Sequence, residues 1–164
     1  MCIRCLFIRQ FNLKIKNIAL GNISPITEDG NDKISYGTWL DYYSFSDDTD
    51  KEKPNYETNI FWSTDSKRII IPKYNRSKSL EMSAINWVPE DGMRPHVLSY
   101  ERAMPGDTDL TMVTYFIYDV ETKKNIPVEL NPMENFLTEF LPENFYWTDK
   151  TDKVYTIIHS RGYK

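Results

Sequence analysis

The chain has 164 residues, the length of one ordinary domain, and 40% of them are hydrophobic and 14% aromatic. That much apolar material supplies a packed core and excludes general disorder. Twenty basic residues against 24 acidic ones give a net charge of -4 with no basic stripe, which argues against a nucleic-acid partner. No stretch approaches the roughly 20 apolar residues of a membrane-spanning helix.

The chain starts "MCIRCLFIRQFNLKIKNIALG", an apolar run broken by Arg4, Arg9, Lys14 and Lys16 and followed by no small-residue cleavage site. It does not read as an export signal, and the chain is expected to be soluble. Cys2 and Cys5 form a Cys-x-x-Cys pair, but a metal site needs two further ligands. The histidines, His96 and His159, form no short-range pair with anything, so no metal is expected. Residues 1–10 carry no assignable pattern.

From there the period is two. Leu13 to Ile18 alternates as a half-buried strand does, Ala19 to Asn22 supplies a turn, and Ile23 to Thr27 leads out as a second strand. Glu28-Asp29-Gly30-Asn31 is another turn signal. Asp47-Asp48-Thr49-Asp50 reads most simply as a solvated loop. Ile69, Ile70 and Ile71 are apolar without alternation, as in a strand covered on both faces. Residues Pro89 to Asp109 read as a long inserted loop. Thr114 to Val120 is β-branched and aromatic, Glu121 to Asn125 is a turn, and Ile126 to Leu130 is a further strand. Only Pro132 to Leu141 supports a short helical turn, because nine prolines spread along the chain leave little room for long helices. Asn-x-Ser triplets at Asn22 and Asn75 are too common a pattern to argue for secretion.

Two signatures recur. "FWSTDSKRIII" from Phe61 matches "YWTDKTDKVYTII" from Tyr146, with Trp62 and Trp147 85 positions apart. "KNIALGNISPI" from Lys16 matches "YDVETKKNIPV" from Tyr118, with Pro25 and Pro127 102 positions apart. Alternating strand-turn-strand signatures make a β-repeat array. In a radial array each sheet buries both faces against its neighbours, so Trp62 and Trp147 are expected as core wedges between sheets rather than as ligand platforms.

These residues resemble the N-terminal β-propeller of dipeptidyl peptidase IV-like members of the prolyl oligopeptidase family of serine peptidases. Its recurrent "W-S-P-D-G-K" motif is similar to Trp62-Ser63-Thr64-Asp65-Ser66-Lys67, and Trp147-Thr148-Asp149 looks like the start of a degenerate copy. "IALGNISPITEDG" and "YDVETKKNIPVEL" resemble the family's "D-x-x-T-G-x-x-x-x-L-T-x-D-G" segment. "SYERAMPGDTDLTMVTYFIYDVETKK" resembles the "Y-P-K-A-G-x-x-N-P-x-V" stretch that precedes a strand, and "IIHSRGYK" the "R-x-G-[aromatic]" strand end. The likeness covers residues 11–164. The fold it implies is all-β, a partial β-propeller of two to three blades of about 40–50 residues plus inserts. The strand edges left open are expected to associate with other chains.

The resemblance implies a role in proteolysis. In that family the propeller sits over an α/β-hydrolase domain, admits short peptides and helps hold them, while the hydrolase domain supplies Ser, Asp and His. This chain has no Gly-x-Ser-x-Gly elbow and no convergent catalytic set, so it is expected to be inactive alone and to need no cofactor. Dipeptide-releasing members carry two glutamates in "N-G-x-x-D-W-V-Y-E-E", whose carboxylates hold the substrate's free ammonium. "YGTWLDYYSFSDD" from Tyr36 resembles that context, with Gly37 and Tyr43 matching, but the acid positions are Ser44 and Phe45. Asp47 and Asp48, slightly later and shorter, are the candidate substitutes. Family members are often exported, which the start of this chain does not reflect. The alternative is a stand-alone β-rich module using Trp39, Tyr42, Tyr43, Trp87 and Tyr100 as a peptide or carbohydrate platform.

Overall fold

The structure is a computed structural model, and it describes residues 4–37, 59–89, 92, 94–101, 104–134, 145–151 and 153–157. Strands β1 (Arg4–Arg9), β2 (Asn12–Asn17) and β3 (Ile23–Pro25) form an antiparallel sheet in that order. Arg9 pairs with Asn12 across Gln10 and Phe11, whose φ values of 51° and 64° mark a two-residue turn of the primed type that suits strand twist. Residues 1–10, to which the sequence alone assigns nothing, thus include a full strand, with Cys5 exposed on it.

The second sheet is built on two eight-residue strands. After β4 (Ile34–Tyr36) and β5 (Phe61–Trp62) comes β6 (Arg68–Asn75), which pairs along its whole length with β9 (Met112–Asp119). Both β4 and β5 lie on the other edge of β6 and run in the same direction, with Tyr36 opposite Lys73 and Phe61 opposite Ile70. They are one edge strand interrupted by residues 37–60. Likewise β10 (Lys124–Pro127) and β11 (Met133–Glu134) share the far edge of β9. The sheet is in effect a four-stranded meander.

Between β6 and β9, strands β7 (Glu81–Asn86) and β8 (His96–Glu101) pair only with each other, making an inserted hairpin. The loop expected from Pro89 to Asp109 is therefore a strand over His96–Glu101. A third sheet consists of β12 (Phe145–Trp147) and β13 (Val154–Thr156). Among the described residues there is no helix; the segment expected as a helical turn starts as β11, where β9 still offers an unpaired edge, and residues 135–141 lie outside the described part.

Three sheets in series make two cores. Leu13, Ile15 and Ile26 from the first sheet meet Tyr36, Ile69, Ile71, Tyr118 and Val120 on one face of the second, with Trp62 packed against them. Ile70, Tyr74, Val113 and Tyr115 on the opposite face meet Phe145, Trp147 and Val154 of the third sheet. Successive β6 side chains point to opposite faces, and Ile69, Ile70 and Ile71 are 0%, 1% and 0% exposed. This is why the run is apolar without alternation.

Both sequence repeats are also repeats of backbone geometry. Trp62 pairs with Ile69 and Trp147 with Val154, and positive φ falls at Ser66 (59°) and Thr151 (54°), each pair 85 positions apart. Ser63 N–H donates to Arg68 O at 2.9 Å and Thr148 N–H to Lys153 O at 3.0 Å. At the offset of 102, Asn17 Oδ1 accepts from the N–H groups of Ala19 and Leu20, and Asp119 Oδ1 from those of Glu121 and Thr122. Gly21 and Lys123, both at positive φ, complete these two turns.

Replacing Ile70 or Ile71 by Ala should each cost about 2–4 kcal/mol, since each leaves a cavity in a different core. Ile126→Ala, at a half-exposed position, should cost under about 1 kcal/mol. Urea unfolding midpoints of the three variants check this, and near-equal losses would contradict two-sided burial of β6.

Candidate functional site

Two polar clusters bridge the sheets, one at each end of β6. At the end nearer Arg68, the turn of the first repeat grips the turn of the second. Asp65 Oδ1 accepts from the Ser63 hydroxyl at 2.6 Å and the Lys67 N–H at 3.0 Å, the latter a local turn closure. Its Oδ2 accepts from the Thr151 hydroxyl at 2.8 Å, while Arg68 Nη1 donates to the Thr151 carbonyl at 2.6 Å. The Ser63 hydroxyl, the Lys67 N–H, Thr151 and Arg68 favour the charged carboxylate and lower the Asp65 pKa from 3.8 to about 2. Trp62 and Trp147 pack into the two cores. Asp149 is exposed in the second turn at the position of Thr64, so the structural counterpart of Asp65 is Lys150.

At the other end, a cleft of about 490 Å³ opens between the first and second sheets, with Ile26, Asp29, Tyr36, Lys73, Phe116 and Asn125 in its walls. Asn12 shapes the turn that delivers Asp29: its Oδ1 accepts from the Thr27 hydroxyl at 3.2 Å and the Gly30 N–H at 2.8 Å. A Cβ on Gly30 would sit 2.6 Å from the Phe11 carbonyl oxygen, so only glycine fits there. Asp29 Oδ1 accepts from the Tyr36 hydroxyl at 2.5 Å, and Oδ2 pairs with Lys73 Nζ at 3.0 Å. The Lys73 ammonium lies 5.3 Å from the centre of the Tyr36 ring, and Phe116 meets that ring edge-on.

The titrations follow from these contacts. The Tyr36 hydrogen bond and then Lys73 hold the Asp29 carboxyl below its ordinary pKa. Burial, then the Asp29 carboxylate, push the Tyr36 phenol up. Burial alone would lower the Lys73 pKa, but its bonds to Tyr36 and Asp29 outweigh that and leave it raised. This cluster escapes sequence reading, where Glu28 to Asn31 is only a turn and Lys73 carries no assignment. The one signal was Lys73 itself, a charge facing inward two residues after a run of three isoleucines.

The root of the interrupted edge strand is closed. Gly37 N–H donates to Pro72 O at 2.9 Å, and Asn59 N–H donates to Gly37 O at 2.7 Å. Gly37 has φ +66°, and a Cβ there would lie 2.7 Å from Ile60 Cδ1. Gly37 and Asn59 therefore adjoin on one edge of the sheet. Asp47 and Asp48 fall between them in the chain and lie outside the described residues, as do Trp39, Tyr42 and Tyr43. Trp87, in the connection between β7 and β8 of the inserted hairpin, is 69% exposed. Among the described residues no group of His, Cys, Asp and Glu could hold a metal ion.

Serial antiparallel sheets, the middle one covered on both faces by its neighbours and the same two turns recurring from sheet to sheet, are blades of a partial β-propeller. The family model for the dipeptidyl peptidase IV N-terminal region matches residues 4–164, and the chain belongs to that family. Among solved structures it is similar to Porphyromonas gingivalis dipeptidyl peptidase 4, with a TM-score of 0.58 and 19% identity over 78% of this chain. It is also similar to a Bacteroides ovatus protein assigned as a dipeptidyl aminopeptidase IV, with a TM-score of 0.57 and 15% identity over 96% of this chain. The chain spans 17% and 25% of the lengths of those two proteins. No curated protein matches it by sequence.

The Asp65 latch stabilises the fold through its lowered pKa, so its contribution is complete above pH 3.8 and fades as the pH falls toward 2. The melting midpoint of Asp65→Asn should lie below that of the parent chain at neutral pH and converge with it in that acid range. A gap that stays constant down to pH 2 would rule out the carboxylate as its source.

Proposed function

We propose that this chain is the substrate-facing propeller portion of a dipeptidyl peptidase IV-like serine peptidase, with the Ser, Asp and His of catalysis on a hydrolase domain outside these residues. The observation that carries this reading is the family match over residues 4–164. The geometry of the edge strand supports it further. In a propeller the first strand of each blade borders the central channel. The break between Tyr36 and Phe61 falls in the middle of that strand, and the Asn59 N–H to Gly37 O hydrogen bond closes it.

On this reading the partner is a short peptide with a free N-terminus, and Asp47 and Asp48 accept its ammonium. Two carboxylates offer charge-assisted hydrogen bonds that an N-acylated peptide cannot use, each worth about 1.5–3 kcal/mol. The propeller supplies access and N-terminal recognition; bond cleavage belongs to the hydrolase.

The test is an NMR titration of the chain with a tripeptide bearing a free amine and with its N-acetylated form. The free-amine peptide should bind at least about tenfold more tightly. Asp47→Asn with Asp48→Asn should remove that preference and leave the acetylated peptide unaffected. Equal affinities for the two peptides on the unsubstituted chain would overturn the reading.

A further inference from the structure

We propose, independently of the substrate reading above, that the outward faces of the first and third sheets are two halves of one interface, by which a second copy of this chain docks head to tail.

The repeats define what each outward face is. At the offset of 102, the pairs Lys16–Ile23 and Lys14–Pro25 correspond in register to Tyr118–Asn125 and Phe116–Pro127. On the other side of β2 the register continues, with Arg4 opposite Asn17 as Arg68 is opposite Asp119. The outward face of the first sheet is thus the counterpart of the face that the second sheet turns toward the first. At the offset of 85, the pair Tyr146–Tyr155 corresponds to Phe61–Ile70, on the face that the second sheet turns toward the third. Placing the third sheet of one copy on the first sheet of another therefore repeats the step that stacks the three sheets within one chain.

Both faces are open, and their side chains are complementary. Leu13 and Ile15 enter the first core, so Lys14 and Lys16 alternate to the outward face, beside Phe7 and Ile23, the latter 55% exposed. In the second sheet the matching positions are Phe116 and Tyr118, which pack against the first sheet. On the third sheet Phe145, Trp147 and Val154 enter the second core. Tyr146 and Tyr155 are left opposite each other on the outward face, 52% and 61% exposed, with Ile157 58% exposed two residues on.

One face therefore offers two ammonium groups on long apolar stems, and the other offers two phenol rings. An ammonium over such a ring is attracted to it, and its stem covers apolar surface. The chain already contains one such pair where its first two sheets meet, with Lys73 Nζ 5.3 Å from the centre of the Tyr36 ring. A lysine face meets a tyrosine face better than it meets another lysine face, which sets the order head to tail. Such a contact is heterologous, so an assembly that does not close into a ring keeps one free face of each kind.

The experiment is sedimentation velocity over a range of concentrations on the chain and two double variants, Lys14→Glu with Lys16→Glu and Tyr146→Thr with Tyr155→Thr. All four positions lie outside the two cores, and threonine is a good strand former. The parent chain should sediment as larger species as its concentration rises. Each double variant should associate at least about tenfold more weakly. An equimolar mixture of the two should recover one-to-one pairs at the parent's affinity, since one variant keeps the tyrosines and the other the lysines. The lysine variant reports even where the tyrosine variant disturbs the third sheet. A parent that stays monomeric throughout overturns the proposal. So does association that both variants retain in full, which would place the contact at open strand edges. A mixture of folded variants that stays as weak as its components would show that the two faces do not meet, and the proposal falls there too.

Discussion

Two-sided burial of β6 is the constraint on which the rest of the structure depends. A strand with Ile69 and Ile71 in one core and Ile70 and Tyr74 in the other needs a sheet on each side. Neither neighbour is a strong fold by itself: the third, as described, has two strands, below what is stable alone in water, and the first has three short ones, only the minimum. Each sheet becomes stable by covering its neighbour, and the order of sheets along the chain is the order of cores in space. The two tryptophans follow the same logic, since Trp62 closes the first core and Trp147 the second.

Apolar stacking fixes which faces meet but leaves sliding between sheets weakly opposed. The polar clusters supply that missing restraint, one toward each end of β6. Asp65 and Arg68 seize both the hydroxyl and the carbonyl of Thr151, and Asp29 reaches from the first sheet to Tyr36 and Lys73 on the second. Thr151 occupies a left-handed conformation that favours glycine, as does Ser66 where the family motif has glycine. At Thr151 the side chain that strains the backbone is the one that ties two sheets together.

Much of this was legible in the sequence because it is local. Alternation over Leu13 to Ile18 and Thr114 to Val120 located β2 and β9, and the unbroken isoleucines announced β6 and its two neighbours. The offsets of 85 and 102 reappear residue by residue in turn geometry, because Asn17 and Asp119, or Ser66 and Thr151, act through partners two to five residues away. What stayed hidden is long-range or weakly patterned. The strand at Arg4–Arg9 mixes arginines with apolar residues and declares itself only by pairing with β2. The β7–β8 hairpin exposes part of its apolar surface, so its period carries little contrast. The bond from Asp29 to Tyr36 joins a turn to a strand of the next sheet, and no spacing rule connects them. Asp47 and Asp48 lie in a segment beyond the described residues, so the acidic candidates rest on sequence and family context.

The break between β4 and β5 separates two properties that most strands keep bound together. Pairing with β6 is completed by the residues on either side, and the hydrogen bond from Asn59 to Gly37 closes the gap whatever lies within it. The entropy of closing such a loop grows only slowly, by about 0.6 kcal/mol for each doubling of its length. A lineage could therefore lengthen, shorten or rewrite residues 38–58 at little thermodynamic cost to the stack. What the edge presents and how the sheets assemble can then change separately, so that one scaffold can carry many different specificities.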